Sequence, residues 1–321
     1  MESKTGRNAS HKTLRVLVVA YACEPGRGSE PGAGWGLVQA VRSFAECTVL
    51  VAPEHTAGIR RHEANQPDPG LSFVEVAEPR WKRFAKWHRI PRFLAYLAWL
   101  RRARRVASEL HHQRAFDVAH HATYAVFWLP SPGTTMRLPS VWGPVGGAVT
   151  TPLRLWRLLG PVGMVAEWLD WASVGLASWL PSTRRTWRAA SVVLVQNTET
   201  ARRVERARRA RSTVLNHALF TQVPAVATAA RADYLLWVSR LESRKGPRLA
   251  VRALAHTPEH VRLVMVGDGP ERRAVERLAQ RLGVAHRLEL RGRMPRDEVL
   301  DLMGRAAGVV FTGCGRKGAW H

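Results

Sequence analysis

Leu14-Arg-Val-Leu-Val-Val-Ala20 is followed almost at once by Glu24-Pro-Gly-Arg-Gly-Ser-Glu-Pro-Gly-Ala-Gly34. The first stretch reads as a parallel strand buried on both faces, because it is a nearly unbroken run of valine and leucine. The second is a glycine-rich turn, and a helix is predicted from Trp35 to Ala45. A turn of this kind gathers backbone N–H groups and a helix N-terminus at the C-terminal edge of a sheet, a geometry that suits a phosphate. The spacing misses the GxGxxG fingerprint, since Pro31 stands at the third-glycine position after Gly26 and Gly28. Glu54 stands where a ribose-binding acid would, which leaves a nicotinamide cofactor as a minor alternative beside an ordinary βα turn.

Outward from this unit the same alternation continues. Strands are expected at Cys47–Ala52, Leu71–Val76, Phe116–Ala119 (leading to His120-His121), Pro139–Trp142 and Ser191–Gln196, with a second glycine-rich turn at Gly143-Pro-Val-Gly-Gly147. An Ala/Thr-rich linker occupies 221–233. The pattern then restarts with a strand at Tyr234–Val238, a polar loop at Ser239–Gly246 and a helix through Ala255. A strand at Val261–Val266 closes on Gly267-Asp-Gly-Pro270. Beyond it come a helix at Glu271–Leu282 capped by Gly283, a strand at Leu288–Leu290, a helix at Arg296–Arg305 and a strand at Gly308–Phe311. Strands alternating with helices imply parallel sheets with right-handed crossovers. The expected fold class is therefore α/β, with two Rossmann-like parallel-sheet domains, the second incomplete. The divisions are a disordered terminus at 1–12, a first domain at 13–220, the linker, and a second domain at 234–321.

Composition narrows the classes. The 321 residues carry 49 Lys+Arg against 25 Asp+Glu, a net charge of +24. That balance points to nucleic acid, an anionic membrane surface or phosphorylated small molecules. Lysine stands only at Lys4, Lys12, Lys82, Lys86, Lys245 and Lys317, so arginine bias accounts for much of the charge. Cys23, Cys47 and Cys314 form no CxxC and no disulfide framework, which fits a reducing cytoplasm. The run at Leu14–Ala20 is short and broken by Arg15, so a first strand is read in preference to a signal peptide. No stretch reaches the ~18 apolar residues of a membrane span.

Ser239-Arg240-Leu-Glu-Ser-Arg-Lys245-Gly246 puts an arginine and a lysine on one loop after a strand, where open α/β sheets bind ligands. A planar fork beside a point charge suits a diphosphate; a solvated basic turn is the plain alternative. Trp237-Val-Ser-Arg-Leu-Glu-Ser-Arg-Lys-Gly246 resembles the GRL-x-x-x-KG motif of family 4 retaining glycosyltransferases of the GT-B fold. Five further segments agree in order: Val16–Trp35, His120-His-Ala-Thr-Tyr124, Val141–Gly147, Leu263–Pro270, and Arg291-Gly-Arg-Met-Pro295. The resemblance covers roughly 14–311. It implies transfer of a hexose from a nucleotide sugar to a saccharide or lipid-linked acceptor. The expected location is the cytoplasm, or peripherally at the inner face of the membrane. The resemblance implies that Arg240 and Lys245 hold the donor diphosphate and that the Gly32-Ala-Gly34 turn faces it. One of His120 and His121 would lie near the transferred sugar, while Gly267 and Asp268 would line the nucleotide side, Asp268 in a structural role. It implies no cofactor and no metal, and the sequence contains no Asp-x-Asp.

One departure stands out. The family pattern carries a Glu-x7-Glu pair after the fourth donor-domain strand, whereas here Arg316 or Lys317 stands at the first position and no residue at the second. The sequence is thus expected to be C-terminally truncated and to have little or no transferase activity. The alternative is a non-catalytic remnant or a membrane- or polyanion-binding module. Arg80–Arg105 holds ten Lys/Arg, six aromatic residues and no acid. It is read as an interfacial helix broken at Pro91, with a second apolar stripe at Phe93, Leu94, Leu97 and Leu100. Its plain alternative is a helix packed on the sheet with a solvated basic back. Trp156, Trp168, Trp171, Trp179 and Trp187 put the aromatic excess on the acceptor side. His111-His112 and His120-His121 lack the partners of a zinc site. Glu199–Arg211 reads as a solvated helix face, and no nucleic-acid partner is expected.

Overall fold

The computed structural model describes residues 13–84, 89–154, 156, 160–208, 211–215 and 232–313. The expected disordered terminus at 1–12, nearly all of the linker, and Cys314, Arg316 and Lys317 lie outside these residues, as does Trp87.

The first sheet contains β1 (Leu14–Ala20), β2 (Ala45–Val51), β3 (Leu71–Glu75), β4 (Val118–Thr123), β5 (Ser140–Val145), β6 (Val192–Val195) and β7 (Thr213–Val214). All pairs are parallel, in the order β3-β2-β1-β4-β5-β6-β7. Its helices are α1 (Ser29–Arg42), α2 (Pro53–Asn65), α3 (Arg89–Arg114), α4 (Gly160–Trp179), α5 (Pro181–Ala189) and α6 (Thr198–Arg208). Strand β1 is central, which is why its run is apolar on both faces. Leu17 and Val19 pack with Tyr96, Trp99 and Leu100 of α3, and Val16, Val18 and Ala20 with Leu37 of α1 and Ile59 of α2. Trp99 is fully buried and its Nε1 donates to the Val76 carbonyl at 3.0 Å. Truncating such a side chain to alanine costs about 3–5 kcal/mol.

The second sheet contains β8 (Ala232–Val238), β9 (Arg262–Val266), β10 (Leu288–Gly292) and β11 (Ala306–Val309), parallel in the order β10-β9-β8-β11. Helices α7 (Pro247–Leu254) and α8 (Arg272–Arg281) bury Val251, Leu254, Val275 and Leu278 on one face; α9 (Arg296–Arg305) covers the other with Leu302. Gly283 ends α8 at φ +71°, donating to Gln280 at 3.1 Å. In both sheets the first strand lies between the second and the fourth, so each has its topological switch point between those neighbours: β1 and β4, then β8 and β11.

Several expectations change. Helix α1 begins at Ser29 rather than Trp35, and takes in Gly32 and Gly34. A Cβ at Gly34 would run into the Ala22 carbonyl and lie 2.7 Å from Thr123 Cγ2, so this glycine lets the helix approach the strands closely. Strand β4 extends through His120 and His121 to Thr123, and β5 runs on through Gly143 to Val145. Thr213–Val214 adds an unforeseen seventh strand. Ala232 and Asp233, assigned to the linker, begin β8. Pro91 does not break a helix: it sits in the first turn of α3, where an N–H has no intrahelical partner to lose. Of the stripe expected there, Leu100 is buried, Phe93 and Leu97 pack at the edge of the core, and Leu94 faces solvent. This part of α3 packs on the sheet, as the plain alternative had it.

Candidate functional site

At the β8/β11 switch point the chain leaves β8 as Ser239–Gly246, with a 3-10 turn at Ser243–Lys245. Thr312, just past β11, pins this loop. Its Oγ1 accepts from Trp237 Nε1 at 2.9 Å and donates to the Lys245 carbonyl at 3.0 Å. Gly246 follows at φ +63°, where a Cβ would collide with the Thr312 carbonyl; Pro247 then opens α7. The N-terminus of that helix, the positive end of its dipole, therefore sits at the sheet's C-terminal edge. Glu271 fastens the loop from the other side, accepting from Ser243 Oγ at 3.0 Å and Arg248 Nη2 at 3.1 Å.

The β9 loop meets the β8 loop directly. Gly267 lies at φ +130°, and a Cβ there would strike the Ser239 carbonyl. Leu241 N–H donates to the Asp268 carbonyl at 3.1 Å, and the Asp268 carboxylate accepts from Gly269 N–H at 2.8 Å. Asp268 therefore shapes its own turn. The loops after β8 and β9 bring Arg240, Lys245, Gly267 and Asp268 to one sheet edge. The two cations differ. The Arg240 side chain is 66% exposed and paired to Glu242 at 3.0 Å, whereas Lys245 is buried at the base of the loop. Such a site presents a fork-shaped cation, a second buried cation and a helix N-terminus, the chemistry of diphosphate binding.

The β1/β4 switch point is built otherwise. Ala22 N–H donates to Thr123 Oγ1 at 3.1 Å, and Tyr124 N–H to Glu30 Oε1 at 2.9 Å. Tyr124 holds φ +53°, a left-handed conformation costly for a tyrosine, and its carbonyl accepts from Tyr96 Oη at 2.9 Å. Nearby, Glu24 is buried against His55 Nδ1 at 2.9 Å. Lys82 joins Glu78 at 2.7 Å, Tyr21 Oη at 3.0 Å and Glu54 at 3.3 Å. Burial and the neighbouring Glu78 push the Tyr21 hydroxyl far up, so it stays protonated. Glu54, proposed for a ribose, is instead a partner of Lys82. Gly34 serves helix packing here, and Gly32 leaves room for the Arg27 carbonyl of the preceding loop; both lie in α1 rather than in an open turn.

His120 and His121 are buried in β4 on opposite faces of the sheet. His120 Nε2 lies 2.7 Å from the Gly143 carbonyl, which makes it the protonated nitrogen. Burial lowers its pKa to about 4, against the pull of that hydrogen bond. Burial, then the adjacent His120, lowers His121 to about 3. Both rings are neutral at pH 7. Among the described residues no three His, Cys, Asp or Glu side chains gather in a metal-binding cluster. Sequence reasoning missed the roles of Thr312, Glu271 and His55, which carry no local motif, and of Glu242 and Glu24, which stand in quoted segments but show their partners only in the fold. Tyr124 and Glu30 stand inside quoted segments, but only the fold pairs them.

Residues 222–316 match the glycosyl transferases group 1 family. The matched stretch includes the entire β8/β11 crevice. An 80-residue stretch is 39% identical to a D-inositol 3-phosphate glycosyltransferase of Xylanimonas cellulosilytica, covering 24% of this chain and 19% of that relative. Solved structures agree in fold. A lipopolysaccharide outer core galactosyltransferase, WaaB, superposes with a TM-score of 0.55 at 11% identity, over 94% of this chain and 74% of that one. Anabaena HepE, solved with UDP and glucose, gives 0.53 at 15% identity over 94% and 74%. Sucrose-phosphate synthase of Thermosynechococcus elongatus gives 0.52 at 16% over 93% and 75%. The architecture is GT-B-like.

Proposed function

We propose that this protein is a retaining, metal-independent glycosyltransferase that takes a hexose from a nucleotide sugar to a saccharide or lipid-linked acceptor, working in the cytoplasm against a membrane face. The observation that carries the reading is the β8 loop, pinned by Thr312 so that Arg240, Lys245 and the start of α7 share one edge. When the bond between the sugar's anomeric carbon and the diphosphate breaks, negative charge grows on the leaving diphosphate. Arg240 and Lys245 stabilise that charge, the work a metal ion does elsewhere. Gly267 lets the β9 loop close against the nucleotide side, and Asp268 holds that loop's shape. The acceptor binds at the β1/β4 crevice, where Tyr124, Glu30 and Lys82 offer hydrogen bonds to hydroxyls and the neutral His120 and His121 brace the strand beneath. Turnover also needs groups that grip the sugar hydroxyls. Arg316 or Lys317 in place of the first glutamate predicts slow transfer even where the donor binds well.

Calorimetric titration with UDP and UDP-glucose separates binding from turnover. The unaltered protein is expected to bind both, and Lys245→Ala to weaken binding at least about tenfold, the cost of a charge-assisted contact of ~1.5–3 kcal/mol. Absence of UDP binding by the unaltered protein refutes the reading. Radiolabelled nucleotide sugars with a membrane extract then report transfer.

A further inference from the structure

Nine of the twenty large apolar side chains that stand exposed among the described residues fall within Leu153–Leu180. Helix α4 accounts for most of them. Its inner arc buries Glu167, Val174 and Ala177, and Glu167 is held there by Thr151 N–H at 2.7 Å. The helical period places Met164, Val165, Trp168, Leu169, Leu176 and Trp179 on the opposite arc, all exposed, with no charged residue among them. Leu176 is 70% and Trp179 72% exposed. An apolar surface of this breadth marks an interaction site.

We propose that the outer arc of α4 lies in the interface of an anionic bilayer, with α5 supplying the charge. Three features on this surface select a lipid occupant. Exposed Trp168, Trp171 and Trp179 are amphipathic rings, which favour the depth of lipid headgroups. Arg184 stands 4.8 Å over the Trp179 ring, and Arg185 and Arg188 are exposed on α5, so cations border the apolar arc. Residues 151–190 hold five arginines against two acids, one of them the buried Glu167. No helix among the described residues is long and apolar enough to cross a membrane, so the contact is one of lying on the surface. The site is not the Arg80–Arg105 segment singled out in the sequence, whose described apolar side chains largely face the core. The inference deepens the membrane side of the proposed function and rests on it.

The test is flotation of the full chain with phosphatidylcholine vesicles, with and without phosphatidylglycerol, at low and high salt. Binding is expected to the phosphatidylglycerol vesicles and to fall with salt. Leu176→Asp and Trp168→Gln change exposed positions, so melting temperature is expected to hold while vesicle binding falls about tenfold or more. Arg185→Glu with Arg188→Glu is expected to remove the preference for phosphatidylglycerol. Equal flotation of the unaltered protein and Leu176→Asp overturns the proposal. So does failure of the unaltered protein to float, or a dimer, disrupted by Leu176→Asp, in place of vesicle binding. UDP titration of the same preparations reads the donor chemistry separately: flotation without UDP binding sustains this inference and sinks the transferase, and the converse pattern does the reverse.

Discussion

The two switch points share a topology and little else. In each, a first strand lies between the second and the fourth, and the loops after the first and fourth strands meet. At β8 and β11 those loops carry Arg240 and Lys245, with Gly246 at positive φ, and Gly267 of the β9 loop, also at positive φ, packs against them. At β1 and β4 they carry Glu24, Glu30 and Tyr124, and two buried histidines lie in the strand below. The backbone supplies a crevice twice; the side chains make one of them cationic and the other rich in carboxylates and hydroxyls. This is why the fold class alone does not assign an activity, and why the proposed one rests on the β8 loop.

The most severe way to break the comparison is to destroy one crevice and watch the other. Gly267→Val puts a branched side chain at φ +130° and against the Ser239 carbonyl. A loss of at least ~3 kcal/mol from the second sheet is expected, together with loss of UDP binding. Hydrogen exchange should show the amides of β1 and β4 as protected as before. Deprotection of both sheets together would show that the two units fold as one.

Acid comes next, and it acts on the first region. His120 and His121 have lowered pKa values in the folded chain, about 4 and about 3. The unfolded chain therefore takes up protons first as pH falls, and stability is lost progressively from about 6.5 down to those values. A loss of a few kcal/mol is expected across that window, with the full contribution present above it. In the second region His256, His260 and His286 are exposed. Exchange measured at pH 7 and pH 5 should deprotect β4 well before β8. Equal acid sensitivity of the two sheets would remove the histidines from the account.

How much of this contrast could be read without coordinates depends on how local its causes are. Helix α9 is found at Arg296–Arg305 and the Gly283 cap holds, because both follow from residues within a turn of each other. The start of α1 was misplaced because glycines suggest a loop, while the close approach of Gly34 to Ala22 and Thr123 is set by strands far along the chain. Strand β7 has two residues and no period to detect. Arg240 and Lys245 were visible as a motif. Thr312 was not, since the Trp237 it binds lies 75 positions away. Likewise the tryptophans of α4 could be counted in the sequence, but which side they face is decided by where Glu167 and Val174 are buried.

A milder substitution sharpens the chemistry of the second crevice. Arg240→Lys keeps the charge and loses the planar fork, so UDP affinity is expected to fall by several-fold, about 1 kcal/mol, with the melting temperature unchanged. A titration that cannot distinguish the two would reduce Arg240 to a point charge.

The smallest expected effect is also the one with an unusual sign. Arg240 is held by Glu242 at 3.0 Å, and that pair must open or share its guanidinium when a diphosphate arrives. The arginine is largely in solvent, so the pair is worth no more than ~0–1 kcal/mol. Glu242→Gln removes the competing charge and nearly preserves the volume. UDP should then bind up to about fivefold more tightly, most clearly at low salt, where exposed charges are least screened. Weaker binding would mean that Glu242 aims Arg240 at the ligand rather than competing for it. In that case a single carboxylate in the cationic crevice does the positioning work that several carboxylates do in the other.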